Sequence, residues 1–220
     1  MRELFDAIRS GEAQRVRDLL DRAPALVNAS DEAGTSAFTF AKRHRQEAIA
    51  QLLLDRGAEL DIFAAAIAGD AERTASLVAH NPALTQALSR DGWTALHLAA
   101  FFGSADCARR LIDAGADVHA RSANPFKNTP LHAAAAGRRS EVARLLIERG
   151  AEVNSRQQGG WTALHAAAQN GDGELVRILI GAGADVNARA DNGQRALDLA
   201  LSHGRQQVVD LLEHFGAASA

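Results

Sequence analysis

The sequence predicts an all-α fold, an elongated solenoid of seven helix–turn–helix repeats joined by short β-hairpin loops. Three observations support this prediction. A five-residue motif around a leucine recurs at intervals of 33 to 35 residues, a Gly-Ala pair follows each of these leucines at one offset, and aromatic residues make up only 5% of a chain that is 47% apolar. Alanine supplies much of the apolar content, which favours closely packed helices over a core of bulky side chains.

The repeats are clearest in the second half of the chain. Their anchor leucines lie 35, 33 and 33 residues apart, at Leu96, Leu131, Leu164 and Leu197. Nineteen residues after each anchor stands a glycine that is followed by alanine: Gly115, Gly150, Gly183 and Gly216. Residues 4–40 match residues 62–98 with a constant shift of 58, which adds anchors at Leu4 and Ile62, and Phe38 supplies a further one. The anchors therefore number seven.

Two departures from the regular spacing predict changes in the loops. Only 24 residues separate Phe38 from Ile62, so the hairpin between the second and third repeats must be missing or very short. Two extra residues lie between the fourth and fifth repeats, within residues 122–126, so this loop should project further than its neighbours.

The motif residues explain the helix boundaries. Thr94, Thr129 and Thr162 suit the N-cap, where the hydroxyl satisfies a backbone amide, and Pro130 suits the first helical position. The glycine of each Gly-Ala pair suits a left-handed C-cap at the end of the second helix. Each unit has an apolar face that it cannot bury alone, so stability must come from stacking.

The Thr-Pro-Leu-His motif at residues 129–132, with its period near 33, resembles the ankyrin repeat. The resemblance covers nearly the whole chain, and its later part looks like a widespread group of small bacterial ankyrin proteins that has no settled biochemical role. It implies one ankyrin-repeat domain over residues 1–220. The approximate repeat bounds are 1–30, 31–60, 61–90, 91–123, 124–157, 158–190 and 191–220.

Composition limits the function classes. The net charge of −3 gives no electrostatic drive towards nucleic acid or an anionic membrane. One cysteine excludes an internal disulfide framework, and the charged start at residues 1–6 lacks the apolar core of a secretory signal. We expect a cytoplasmic monomer that has no cofactor and contacts neither nucleic acid nor a membrane.

The histidines His97, His132 and His165 are interpreted as structural. They occupy the motif position whose usual role in the family is to hydrogen-bond adjacent repeats, and they lie too far apart to share one zinc ion. Cys107 aligns with Val142 and is interpreted as a buried apolar residue.

The resemblance implies that a partner protein would bind the concave face, at the loop tips and at the last exposed positions of the inner helices. Both tryptophans and a phenylalanine pair fall on these positions, and large aromatic side chains concentrate in binding hot spots. The alternative is that the tryptophans pack on neighbouring loops and one phenylalanine fills space between inner helices. The candidate partner-binding residues are Trp93, Phe101, Phe102, Phe126, Asn128, Trp161, Gln169, Asn170 and His203.

Two short basic runs, residues 42–45 and 138–139, have two interpretations. They lie near the ends of inner helices, where positive charge is favourable and solvated; alternatively, they bind an acidic strip on a partner. The leading functional prediction is a non-catalytic protein-interaction module whose partner protein is unknown. The alternatives are binding of nucleic acid or a small ligand, and an enzyme with an unrecognised site.

Overall fold

The structure is a computed structural model that describes residues 1–217. Within this range it contains fourteen α-helices in seven antiparallel pairs and no regular β-strand, which confirms the predicted all-α repeat fold. Two 3₁₀ turns, Pro24–Asn28 and Pro82–Thr85, follow the second and sixth helices. The pairs are α1 (Arg2–Ser10) with α2 (Ala13–Arg22), α3 (Ala37–Arg43) with α4 (Glu47–Asp55), α5 (Ile62–Ala68) with α6 (Ala71–His80), α7 (Ala95–Phe102) with α8 (Ala105–Asp113), α9 (Pro130–Gly137) with α10 (Ser140–Glu148), α11 (Ala163–Asn170) with α12 (Gly173–Gly181), and α13 (Ala196–Ser202) with α14 (Gln206–His214).

The first helix of each pair, the inner helix, packs against the inner helices of the neighbouring repeats. Alanines line these contacts, and the buried side chains join into one apolar cluster that runs from Leu4 to Ala217. The contact between α7 and α9 is so close that a Cβ added to Gly137 would lie 2.1 Å from the carbonyl oxygen of Phe101. Small residues therefore set the spacing of the stack.

Each inner helix turns into its outer helix through a residue in the left-handed conformation. Glycine occupies five of these seven positions, because it alone adopts positive φ without steric cost. Arg45 (φ 57°) and Arg138 (φ 58°) occupy the other two. The glycines are Gly11, Gly69, Gly103, Gly171 and Gly204.

The loops between repeats are shorter and less regular than full β-hairpins. They are closed by single backbone bonds, as from Ser89 to Trp93 (2.7 Å), and bridge pairing occurs at Ser30 with Ser36 and at Arg189 with Arg195. Residues 56–61 alone connect α4 to α5, which confirms that the hairpin between repeats two and three is missing.

Where the hairpin between repeats two and three is missing, side chains of repeats two and four contact each other. Arg43, at the end of α3 in repeat two, forms an ion pair with Asp91, at the loop tip of repeat four. The two residues belong to repeats that are not sequence neighbours, so the contact passes over repeat three.

Candidate protein-binding site

Three aromatic side chains of repeat four form a continuous group, which we call the aromatic cluster. The ring of Trp93 meets that of Phe101 edge-on at 5.6 Å between centroids, and Phe101 meets Phe102 in the same way at 5.3 Å. All three are half-buried and pack against the apolar core. Each ring therefore contributes to the packing of the stack and also remains partly accessible to solvent.

Trp161 lies two repeats away from Trp93 and is also half-buried. Its ring packs on His165 at 5.7 Å, just as Trp93 packs on His97 at 5.9 Å. Phe126 lies on the longer loop before repeat five and is 63% exposed. The candidate aromatics thus comprise one cluster of three and two separate rings.

Asn128 does not face outward as expected, since it is only 7% exposed. The hydroxyl of Ser122 donates to its Oδ1, and its backbone N–H donates to Ser122 Oγ at 3.1 Å. Its side chain therefore closes the longer loop from within. Asn128 is therefore not part of the exposed surface that a partner could contact.

The remaining candidates lie on repeats six and seven. Nδ2 of Asn170 donates to the carbonyl oxygen of Ala135 at 3.2 Å, so this side chain bridges to repeat five. Nε2 of Gln169 lies 3.5 Å from Nε2 of His203, which is exposed. The surface at the ends of the inner helices, which we call the inner-helix face, is therefore polar at repeats six and seven. It differs in this from the aromatic cluster of repeat four.

Two arginines, on repeats five and seven, lie close to these polar side chains. Arg138 and Arg205 line a hollow of ≈400 Å³ together with Asn170, Gln206 and Gln207. We call this the arginine hollow. Nε of Arg205 donates to the carbonyl oxygen of Gln169 at 3.2 Å, which holds the arginine stem against α11.

The three motif histidines form hydrogen bonds between adjacent repeats, which we call the histidine ties. In each repeat the backbone N–H of the motif threonine donates to Nδ1 of the histidine, so the proton of the neutral ring is on Nε2. Nε2 then donates to a carbonyl oxygen in the next repeat. The acceptors are Asn128 for His97 (2.9 Å), Trp161 for His132 (3.1 Å) and Gln194 for His165 (3.2 Å).

Burial keeps these rings neutral. It lowers the pKa of all three histidines, and that of His132 falls to about 4. The interpretation of the histidines as structural ties is confirmed by these bonds. Cys107 is also buried, as predicted; burial raises the pKa of its thiol, and the Thr74 hydroxyl lies 3.5 Å from its sulfur.

Repeat seven replaces the threonine and histidine with a charged pair. Arg195 is only 5% exposed and binds the Asp198 carboxylate through Nε (3.1 Å) and Nη2 (2.8 Å). The Arg195 backbone N–H also donates to this carboxylate, at 2.8 Å. The guanidinium lowers the pKa of Asp198. The pair thus caps α13 without needing a carbonyl from another repeat.

A second aromatic group, at the other end of the inner-helix face, was missed by sequence reasoning. Phe40 contacts Phe5 edge-on at 5.1 Å and stacks on His44 at 4.1 Å, while the Arg9 guanidinium lies 5.5 Å from the Phe40 ring. Phe5, Phe40 and Arg9 border a groove of ≈630 Å³ that Asp31 also lines. Phe40 occurs two residues after its anchor, where later repeats have leucine or alanine, and this difference was the available signal.

Within residues 1–217 no helix is both long and apolar enough to cross a bilayer. In the same range, no three His, Cys, Asp or Glu side chains are grouped so that they could hold a metal ion.

The stacked helix pairs, the histidine ties and the side chains along the inner helices define a repeat protein with an extended lateral surface. A family model for ankyrin repeats, described as three copies, matches residues 62–157 and 155–218. The chain belongs to the ankyrin-repeat family. Ankyrin repeats are generally protein-interaction modules, and the family is typically non-catalytic.

One curated relative matches part of the chain. The chain is 32% identical over 127 residues to a transient receptor potential cation channel subfamily A member 1 homolog from Caenorhabditis elegans. The match covers 54% of this chain and 10% of that protein. Because the chain spans about a tenth of the relative's length, the similarity identifies a repeat segment and carries no activity with it.

Proposed function

We propose that this protein binds a partner protein through its inner-helix face, the surface made by the last exposed positions of the inner helices and the loop tips beside them. The aromatic cluster of Trp93, Phe101 and Phe102 carries this proposal. At the positions of Phe101 and Phe102, repeat five has Ala136 and Gly137. The stack therefore does not require large rings there, and half-buried aromatics contribute disproportionately to binding.

A non-catalytic role is supported by the engagement of the residues that could otherwise do chemistry. His97, His132 and His165 use both ring nitrogens in bonds that hold the repeats together. The Cys107 thiol is buried, with a raised pKa, so it is not an activated nucleophile.

We further propose that residues 1–220 act as one domain and as a monomer in the cytoplasm. The single apolar cluster that connects all seven repeats supports the first part. A net charge of −3 and a single, buried cysteine are compatible with the second. Sedimentation equilibrium would test the monomer directly, since a concentration-dependent rise in mass would contradict it.

The experiment for the proposed function is site-specific photo-crosslinking with a matched control. A photoreactive phenylalanine analogue is placed at Phe102, in the aromatic cluster, or at Phe215, which is 45% exposed at the end of α14. In lysate from the source cell, we expect a discrete crosslinked partner from position 102, and its loss when Trp93→Ala is added. Equal crosslinking from both positions would contradict the proposed surface.

A further inference from the structure

The arginine hollow contains cations without counterions. Arg138 and Arg205 line it with the amide side chains of Asn170, Gln206 and Gln207, and no acidic residue of the described chain lies among the residues that line it. By contrast, Arg149, directly after outer helix α10, pairs with Asp113 at 2.7 Å. Within residues 1–217, Arg138, Arg139 and Arg205 form no ion pair. An uncompensated cationic hollow attracts anionic groups.

The stems of two of these arginines are fixed before any ligand arrives. Nε of Arg139 donates to the carbonyl oxygen of Phe101 at 3.1 Å, and Nε of Arg205 makes the equivalent bond to Gln169, two repeats further on. A guanidinium has five N–H donors, so each retains donors for a carboxylate. Such pre-positioning reduces the conformational entropy that binding costs.

Arg138 occupies a backbone position where glycine is the better residue. Its φ of 58° and ψ of 51° are left-handed, and glycine fills the equivalent place in five other repeats. A side chain that persists at a strained position indicates a role outside the stability of the fold.

Arg139, which directly follows Arg138 of the hollow in sequence, contacts the helix that carries Phe101 and Phe102 of the aromatic cluster. Arg139 binds the carbonyl oxygen of Phe101, and a Cβ added to Gly103, directly after Phe102, would lie 2.7 Å from Cδ of Arg139. We call the aromatic cluster, Arg139 and the arginine hollow together the strip, which extends from repeat four to repeat seven.

We propose that the partner presents an acidic segment to this strip: an apolar side chain that contacts the aromatic cluster, followed by carboxylates that bind Arg138 and Arg205. This inference rests on the proposed function and adds the chemistry of the partner. A protein is favoured over nucleic acid because the whole chain carries a net charge of −3.

The test measures binding of labelled peptides by fluorescence anisotropy. The probe is a fluorescein-labelled peptide of about twelve residues with one phenylalanine followed by four glutamates; a second peptide has glutamines in their place, and a third probe is single-stranded DNA. We expect the glutamate peptide to bind at least about tenfold more tightly than the glutamine peptide, and to weaken as salt is raised.

Two arginine variants test whether the glutamate peptide binds at the arginine hollow. Arg138→Gly and Arg205→Gln should each weaken the glutamate peptide by about fivefold or more. Arg177→Gln, an exposed arginine on outer helix α12, is the matched control and should leave binding unchanged. Arg138→Gly should at the same time raise the urea midpoint of unfolding, so weaker binding cannot be attributed to a damaged fold.

Several results would overturn the inference: no binding of the glutamate peptide up to about 1 mM, equal binding of the glutamine peptide, tighter binding of DNA, or arginine variants that bind like the wild type. If these occur while Trp93→Ala still abolishes the crosslink at position 102, only the acidic chemistry is wrong. If, in addition, Trp93→Ala leaves the crosslink at position 102 unchanged, the proposed function is contradicted as well.

Discussion

The carbonyl oxygen of Trp161 accepts the Nε2–H of His132 at 3.1 Å. Since Trp161 precedes the threonine that begins the next motif, this bond fixes the start of repeat six from within repeat five. Trp161 also belongs to the proposed binding face. One buried bond therefore connects the stability of the stack to the position of a candidate contact residue.

Acid should weaken the stack through this bond. The pKa of His132 is lowered from 6.5 to about 4 in the folded chain, mainly because burial disfavours the charged ring. Between these two pH values the unfolded chain binds more protons, so the free energy of unfolding falls as the pH decreases, by about 3 kcal/mol for this residue at pH 4. His97 and His165 act in the same direction because their pKa values are also lowered.

Urea unfolding followed by the fluorescence of Trp161, in a Trp93→Phe background, measures this effect. The urea midpoint should drop steadily from about pH 6.5 to about pH 4. His132→Asn should be less stable at neutral pH and should show a shallower pH dependence. An unchanged midpoint over this range would show that the histidine ties contribute little.

Gly137→Ala should destabilise the protein by about 1–3 kcal/mol. Alanine normally favours a helix over glycine by about 1 kcal/mol, but here its Cβ would lie 2.1 Å from the Phe101 carbonyl oxygen, and backbone cannot move aside cheaply. The matched control is Gly181→Ala in α12, whose Cβ would meet nothing within 4 Å. Opposite signs in urea unfolding are expected, and a stabilised Gly137→Ala would refute the close helix contact.

Arg45→Gly should stabilise the protein by about 1 kcal/mol, because it relieves a left-handed backbone conformation (φ 57°) at the end of α3. The control is Ala48→Gly, an exposed position inside α4, which should lose about the same amount. Thermal denaturation of both variants would check this pair, and destabilisation by Arg45→Gly would mean that the arginine side chain supports the fold.

Asp198→Asn should cost about 2 kcal/mol, since it removes the charge-assisted hydrogen bonds that the Asp198 carboxylate accepts from the largely buried Arg195 guanidinium. The pKa of Asp198 is lowered in the folded chain, so this contribution is present above its ordinary value of 3.8 and is lost as the pH falls through the lowered pKa. The loss should therefore appear in urea unfolding at neutral pH. Asp210→Asn, on the exposed side of α14, serves as the control and should change stability little.

Repetition made much of the fold predictable. The spacing of anchors such as Leu96 and Leu131 predicts the seven helix pairs, and the short interval from Phe38 to Ile62 predicts the absent hairpin. The histidine ties were predictable because one residue type recurs at one position. Each of these features depends on a local pattern that is copied along the chain.

Side-chain orientation at unique positions was less predictable. Asn128 occupies the same motif position as Trp93 and Trp161, but its side-chain Oδ1 accepts a hydrogen bond from the Ser122 hydroxyl in the longer loop, which holds the side chain inward. The groove at Phe40 depends on contacts between repeats one and two that no motif describes. Such features arise from a single pair of neighbours, so a repeat pattern gives no information about them.

The histidine ties are confined to the second half of the array, where they join repeats four to seven in sequence. Repeats one to three have no histidine at the corresponding place. We therefore expect repeats four to seven, which carry the aromatic and arginine strip, to be stiffer than repeats one to three, which carry the Phe40 groove. A ligand long enough to span both ends would meet a preformed surface first and could draw the softer repeats around itself afterwards.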